Sequence, residues 1–173
     1  MSTSPHDPWD TLRPGSPAWH EAVAHLGAQM LVAAVTTDPG MHRDAMAQAA
    51  RLPGRWDATM LVGWIDTALA HVGEPAAGAT VGLAFAHPDG TLIDVDTVAA
   101  DLRWAARLMA ARAVLDHDTV AALLADPVDD DTWARRIVRV LELATQMLRG
   151  PGHYYPADPR PLLQPAPGEV RRG

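Results

Sequence analysis

Apolar residues recur at helical spacing along most of the chain, and the densest such stretch runs from Asp96 to about Asp116. Placed on a helix, Val98, Leu102, Ala105, Ala106, Met109 and Ala113 share one side, and Trp104, Leu108, Ala111 and Leu115 form a second stripe. Only Arg103 and Arg107, one turn apart, make a polar strip. A helix that is apolar over most of its circumference belongs inside a fold, so this segment is predicted to be a central helix with other elements on several sides.

Further periodic segments lie on either side of it. Ser16-Pro17 offers a capping hydroxyl followed by proline at the first helical position, which predicts a helix from there to about Thr37. Trp19, Val23, Leu26, Met30 and Ala33 are its core stripe. Asp38-Pro39-Gly40 reads as its stop, and a shorter helix is expected from about Met41 to Leu52. After Pro53-Gly54, Asp57 caps a third helix whose Leu61, Trp64, Ile65, Ala68 and Val72 line one face, ending at Gly73. Gly63 and Ala70 on its back would permit a close helix contact. Beyond the central segment, Val120, Leu123 and Leu124 mark a short helix that Asp126-Pro127 ends. The last helix follows Asp129-Asp130-Asp131, negative charge placed where the macrodipole favours it. Its apolar side carries Trp133, Ile137, Val140, Leu141, Ala144 and Leu148, with Arg135, Arg139, Glu142 and Gln146 opposite.

Residues 80–96 alternate instead, and His87-Pro88-Asp89-Gly90 has the composition of a type I turn with glycine at the bulge position. A β-hairpin is predicted there, with Phe85 facing Ile93, Leu83 facing Val95 and Val81 beside Thr97. Asp96 or Thr97 would then cap the central helix. The fold class expected is mostly α: a single helical domain of about six helices around the central apolar one, with one inserted β-hairpin. Ten of the 15 prolines lie in Met1–Pro17 and Pro151–Gly173, so residues 1–16 and 151–173 are read as extended arms around a domain at 17–150.

Composition narrows the function classes. The chain of 173 residues suits one domain burying about two-thirds of its unfolded surface. It has no cysteine, which excludes disulfides, thiolate metal sites and cysteine nucleophiles. Lysine and asparagine are also absent, and all 14 basic residues are arginine, a pattern of GC-rich coding. The net charge of -7 disfavours sequence-blind binding to nucleic acid or anionic lipid. Met1 to Asp10 lacks the basic-then-apolar order of a secretory signal and no apolar run approaches a membrane span, so a cytoplasmic setting without membrane contact is expected.

Candidate chemistry is sparse. His20-Glu21 and His25 invite comparison with the zinc motif His-Glu-x-x-His, but histidines five apart stand about 140° apart around a helix and cannot face one metal. His42-Arg43-Asp44 has the order of the protein-kinase catalytic triplet without the asparagine that loop needs. Arg112 and His117 fit the Arg-His spacing of helical-bundle ribonucleases of the HEPN type, which would make them a catalytic pair. With 14 arginines and 8 histidines, about two such spacings arise by chance, and Arg13 with His20 is the second. The plainer reading has Arg112 reaching an aspartate or a carbonyl and His117 sitting at a helix end. Asp94 and Asp96 point the same way from the second strand and would suit a divalent cation; the plainer reading is a cap and a wet strand face.

Arg135, Arg136 and Arg139, with Arg103 and Arg107 elsewhere, are the basic clusters of the body. Without interleaved aromatic residues they are read as paired with Asp129–Asp131 or with a partner. Trp9 and Trp56 fall in breaks and, with Tyr154 and Tyr155 of the C-terminal arm, are the candidate contact residues. The function expected is a non-enzymatic, self-associating interaction component with a protein partner or a second copy, no cofactor and no nucleic acid. A small hydrolase, ribonuclease-like or metal-dependent, is the first alternative, and a nucleic-acid-associated regulator the second.

Overall fold

A computed structural model describes residues 12–73, 81–86, 91–150 and 160–165. The fold is mostly α. Its six helices among the described residues are α1 (Pro17–Thr36), α2 (Pro39–Ala49), α3 (Asp57–Val72), α4 (Ala100–Ala113), α5 (His117–Ala125) and α6 (Asp130–Arg149). The chain divides into two compact units, Met1–Trp64 and Ile65–Gly173, so the division falls inside α3. No helix among the described residues is long and apolar enough to cross a membrane.

In the first unit, α1 starts as its sequence dictates, with the Ser16 hydroxyl accepting from the Trp19 backbone N–H at 3.2 Å. Trp19, Val23, Leu26, Met30 and Ala33 are all buried, and α1 packs on α2. The Trp19 indole donates to the Pro53 carbonyl at 2.7 Å and ties down the loop that leads to α3. Thr37, at φ 56, closes α1 in the left-handed conformation, and the Asp38 N–H returns to the Ala33 carbonyl at 2.8 Å. Asp38 is more than a stop: its carboxylate accepts from the N–H groups of Gly40 and Met41 at 2.9 and 3.0 Å, so α2 begins at Pro39.

The close helix contact of this unit comes from Gly27 on α1. A Cβ at Gly27 would lie 3.0 Å from Met60 Cγ and 3.5 Å from Trp64 Nε1, whereas one at Gly63 meets nothing within 4 Å. The Trp64 indole uses that clearance to donate to the Gly27 carbonyl at 2.7 Å.

In the second unit, α4 packs on both α5 and α6. Leu102, Trp104, Ala105, Ala106, Leu108, Met109 and Ala111 are buried along it. Leu115, at φ 58, closes it: the Asp116 N–H reaches the Ala111 carbonyl at 2.9 Å and the Leu115 N–H reaches Arg112 at 3.1 Å, the paired bonds of a Schellman end. Leu115 is thereby turned out to 66% exposure instead of joining the stripe assigned to it.

The next two helices are capped by aspartates. Asp116 accepts from the Thr119 N–H at 3.0 Å and from its hydroxyl at 2.7 Å, and Asp129 does the same with Thr132 at 2.7 and 3.0 Å. In each pair the backbone N–H does most to hold the carboxyl below its usual range, and the hydroxyl adds to it.

The inserted β-hairpin expected over 80–96 is corrected by the structure. Its turn, 87–90, lies outside the described residues. Backbone pairing between the two arms is confined to Phe85 opposite Ile93 and Ala86 opposite Leu92, and Val95–Thr97 coil into a turn of 3-10 helix where the second strand was expected to continue. Asp94 is the physical reason. Its Oδ1 accepts from the Asp96 N–H at 2.9 Å, and its carbonyl accepts from the Thr97 N–H at 2.9 Å and hydroxyl at 2.7 Å. These local bonds compete with an extended ladder and win. The N-cap of α4 is therefore Ala99, with no side-chain cap, and neither Asp96 nor Thr97 serves there. Among the described side chains of this segment, Phe85 is fully buried.

Candidate functional site

A cavity of about 640 Å³ opens in the second unit, lined from α4, α5, α6 and the residue that follows α5. Helix α4 supplies Ala100, Arg103, Trp104 and Arg107; α5 supplies Thr119, Ala122 and Leu123; Asp126 and Arg136 complete the wall. Three guanidinium groups and one carboxylate thus meet in one concave space. On a chain of net charge -7, this is a local reversal of sign.

Trp104 organises the wall. Its side chain is buried, its indole N–H donates to the Leu123 carbonyl at 3.3 Å, and its ring meets Trp133 edge-on at 5.7 Å. The Arg136 guanidinium stands over the same ring, 4.7 Å from the centroid. Arg136 Nη2 donates to Asp126 Oδ2 at 2.8 Å, with the Arg136 side chain 11% exposed and that of Asp126 45%. Nε and Nη1 of Arg136 are buried without a hydrogen-bond partner.

The other two arginines are far less committed. Arg103 Nη1 lies 3.6 Å from an Asp96 carboxylate that is 88% exposed, a contact that solvent and salt screen. Arg107 forms no ion pair among the described residues. The Thr119 hydroxyl, spent as a donor on Asp116, keeps its lone pairs for an incoming donor.

The residues singled out from sequence are placed elsewhere. Arg112 makes a bidentate pair with Asp66, Nε to Oδ1 at 2.7 Å and Nη2 to Oδ2 at 2.8 Å, and the hydrogen bond to Asp66 pushes its pKa further up. That is the aspartate pairing of its plainer reading. His117 opens α5, so it stands at a helix start, where the dipole disfavours a positive charge, and the expectation of a favourable helix end is reversed. Asp94 and Asp96 are occupied with the turn and with Arg103, and no cluster of three or more potential metal ligands occurs among the described residues. Trp56 is half-buried and its carbonyl accepts from the Met60 N–H at 3.0 Å, at the head of α3. Trp9, Tyr154 and Tyr155 lie outside the described residues.

Of the α6 arginines expected to pair with Asp129–Asp131, Arg135 does interact electrostatically with Asp129, while Arg136 and Arg139 take other partners. Arg135 donates to the Thr132 hydroxyl at 2.8 Å, Arg136 to Asp126, and Arg139 to Asp101 at 3.5 Å and Glu142 at 2.7 Å.

Arg136 is the residue that sequence reasoning misassigned. It stands three positions after Trp133 and four before Val140, which puts it on the inward stripe of α6, away from the exposed Arg135. An arginine on a core stripe between a tryptophan and a valine is a legible signal of a buried cation, or of one aimed into a cavity.

Comparison with protein-family models, curated proteins and solved structures finds no match to this chain.

Proposed function

We propose that this protein acts by binding, as a non-enzymatic interaction component whose α4–α5–α6 cavity takes up an acidic group of a protein partner, a second copy of this acid-rich chain included. The observation that carries this reading is the convergence of Arg103, Arg107 and Arg136 on one cavity. Guanidinium forks are suited to bidentate contact with carboxylates and other oxyanions, and a low-dielectric apolar wall strengthens such contacts relative to open solvent. The pairing of Arg136 with Asp126 and its seat on Trp104 hold one fork rigid. Arg103 and Arg107 supply the adaptable charge.

Fluorescence anisotropy of a labelled short oligoglutamate peptide tests the reading. The wild-type protein is expected to bind it with an affinity that falls as salt rises, and Arg107→Glu is expected to weaken binding by about tenfold or more, since like charge replaces attraction. Equal binding by the two proteins would overturn the assignment of the cavity. Arg107 is exposed, so its replacement leaves the core intact and the comparison is one of folded proteins.

A further inference from the structure

Resting on the reading of the cavity as an acid-binding site, we infer that the group it takes is a phosphate monoester in its dianionic form, in preference to a carboxylate. The charges lining the cavity are those of Arg103, Arg107 and Arg136 against the single carboxylate of Asp126. Asp126 is bound to Arg136 at 2.8 Å, so these two neutralise each other, and of the lining charges the guanidinium groups of Arg103 and Arg107 have no carboxylate within the cavity wall. Of these, Arg107 forms no ion pair among the described residues, and Arg103 uses Nη1 alone, in long contacts with the Asp96 carbonyl at 3.5 Å and its exposed carboxylate at 3.6 Å.

Two guanidinium forks one helical turn apart offer more donors and more charge than one carboxylate can satisfy. A carboxylate presents two oxygens and a single charge, enough for one bidentate pair. A phosphate monoester presents three acceptor oxygens and close to two charges at neutral pH, enough for both arginines at once. The cavity is a half-open concavity of about 640 Å³, a volume sufficient for a small organic ligand. It leaves space for the group that bears the phosphate, against Ala100, Ala122 and Leu123. The bearer is a phosphorylated side chain of a partner or a free phosphorylated small molecule, and the chemistry recognised is the same.

The test compares three probes on the full-length protein: a labelled peptide with one phosphoserine, the same peptide with glutamate at that position, and phenyl phosphate as an unlabelled competitor. The phosphopeptide is expected to bind about tenfold tighter than the glutamate peptide, and Arg103→Gln with Arg107→Gln is expected to abolish that preference. Phenyl phosphate is expected to displace the phosphopeptide. If it does so only at concentrations far above the phosphopeptide's own dissociation constant, a protein-borne phosphate is the source; if it does so at equal or lower concentration, a free monoester is. Equal affinity for both peptides, lost together in the double variant, would overturn the preference for phosphate and leave the acid-binding reading standing. Failure of the wild-type protein to bind any of the three would overturn both. Circular dichroism of the double variant guards the comparison, since both arginines lie on the rim of α4 and their loss is expected to leave helicity unchanged.

Discussion

Replacing Asp126 with alanine is expected to destabilise the protein by about 1–3 kcal/mol while tightening its hold on acidic ligands. The Arg136 side chain is 11% exposed and Asp126 is its ion-pair partner. Removing the carboxylate leaves a nearly buried guanidinium whose Nε and Nη1 already lack partners, and a buried charge without a counter-charge is a severe penalty. The figure is set below that of a fully buried pair because Asp126 is 45% exposed, so water replaces part of what is lost. The cavity, relieved of its one negative group, attracts anions more strongly. Stability and affinity should therefore move in opposite directions in a single variant. The converse substitution behaves differently. Arg136→Met keeps an unbranched side chain on the Trp104 ring and removes the two unpartnered nitrogens, so it is expected to alter stability by less than about 1 kcal/mol. Urea unfolding of both variants checks the asymmetry, and an Arg136→Met protein as unstable as Asp126→Ala would mean that the guanidinium is needed for folding in its own right.

The largest stability effect is expected in the first unit, at Trp64. Its side chain is 3% exposed and its indole N–H donates to the Gly27 carbonyl at 2.7 Å. Trp64→Ala removes a large buried ring and is expected to cost about 3–5 kcal/mol, a large share of the stability of an ordinary domain. Trp64→Phe retains most of the burial and loses the hydrogen bond, so about 1–2 kcal/mol is expected. At the partner position, Gly27→Leu must drive a branched side chain against Met60 Cγ, already 3.0 Å from where a Cβ would stand. Thermal unfolding should rank Trp64→Ala as the most damaging of the three. A Trp64→Phe variant as unstable as Trp64→Ala would show that the hydrogen bond, not the packed ring, holds Gly27 and Trp64 together.

The helices were legible because their information is local. Ser16 before Pro17, Asp57 at the head of α3 and Asp129 before the last helix are short-range signals, and the stripe from Trp19 to Ala33 repeats the helical period without a break. Even so, a stripe carries its helix's phase only approximately. On α6 the buried residues are Val140, Leu143, Ala144 and Thr145, a rotation away from Leu141 and Leu148 that draws Arg136 inward. The hairpin failed for a reason also written in the sequence: Asp94 has a side chain and a carbonyl that both serve the residues two and three positions on. The apolar alternation from 80 to 96 favours a strand, but aspartate is among the residues that break strands.

The cavity was less legible than any helix. Arg103 and Arg107 were visible as the polar strip of a central helix, and Arg136 as a member of a separate cluster. Nothing in the order of residues states that α4, α5 and α6 pack so that these side chains share a wall. That depends on how α4 lies against the other two, which a residue pattern specifies only as a set of allowed packings. The contact of Arg136 with Trp104 at 4.7 Å shows how the packing was resolved: the cation sits on the one aromatic face that α4 turns toward α6.

The central claim is that acidic ligands enter this cavity. The most direct measurement is the nuclear magnetic resonance signal of the tryptophan indole N–H groups as phenyl phosphate is added. Trp104 lines the cavity and carries Arg136 on its ring, so its indole signal is predicted to shift and saturate, with Trp19 and Trp64 unmoved and with the shift lost in Arg107→Gln. A Trp104 signal that stays fixed through the titration, or that moves no more than those of Trp19 and Trp64, would contradict the account.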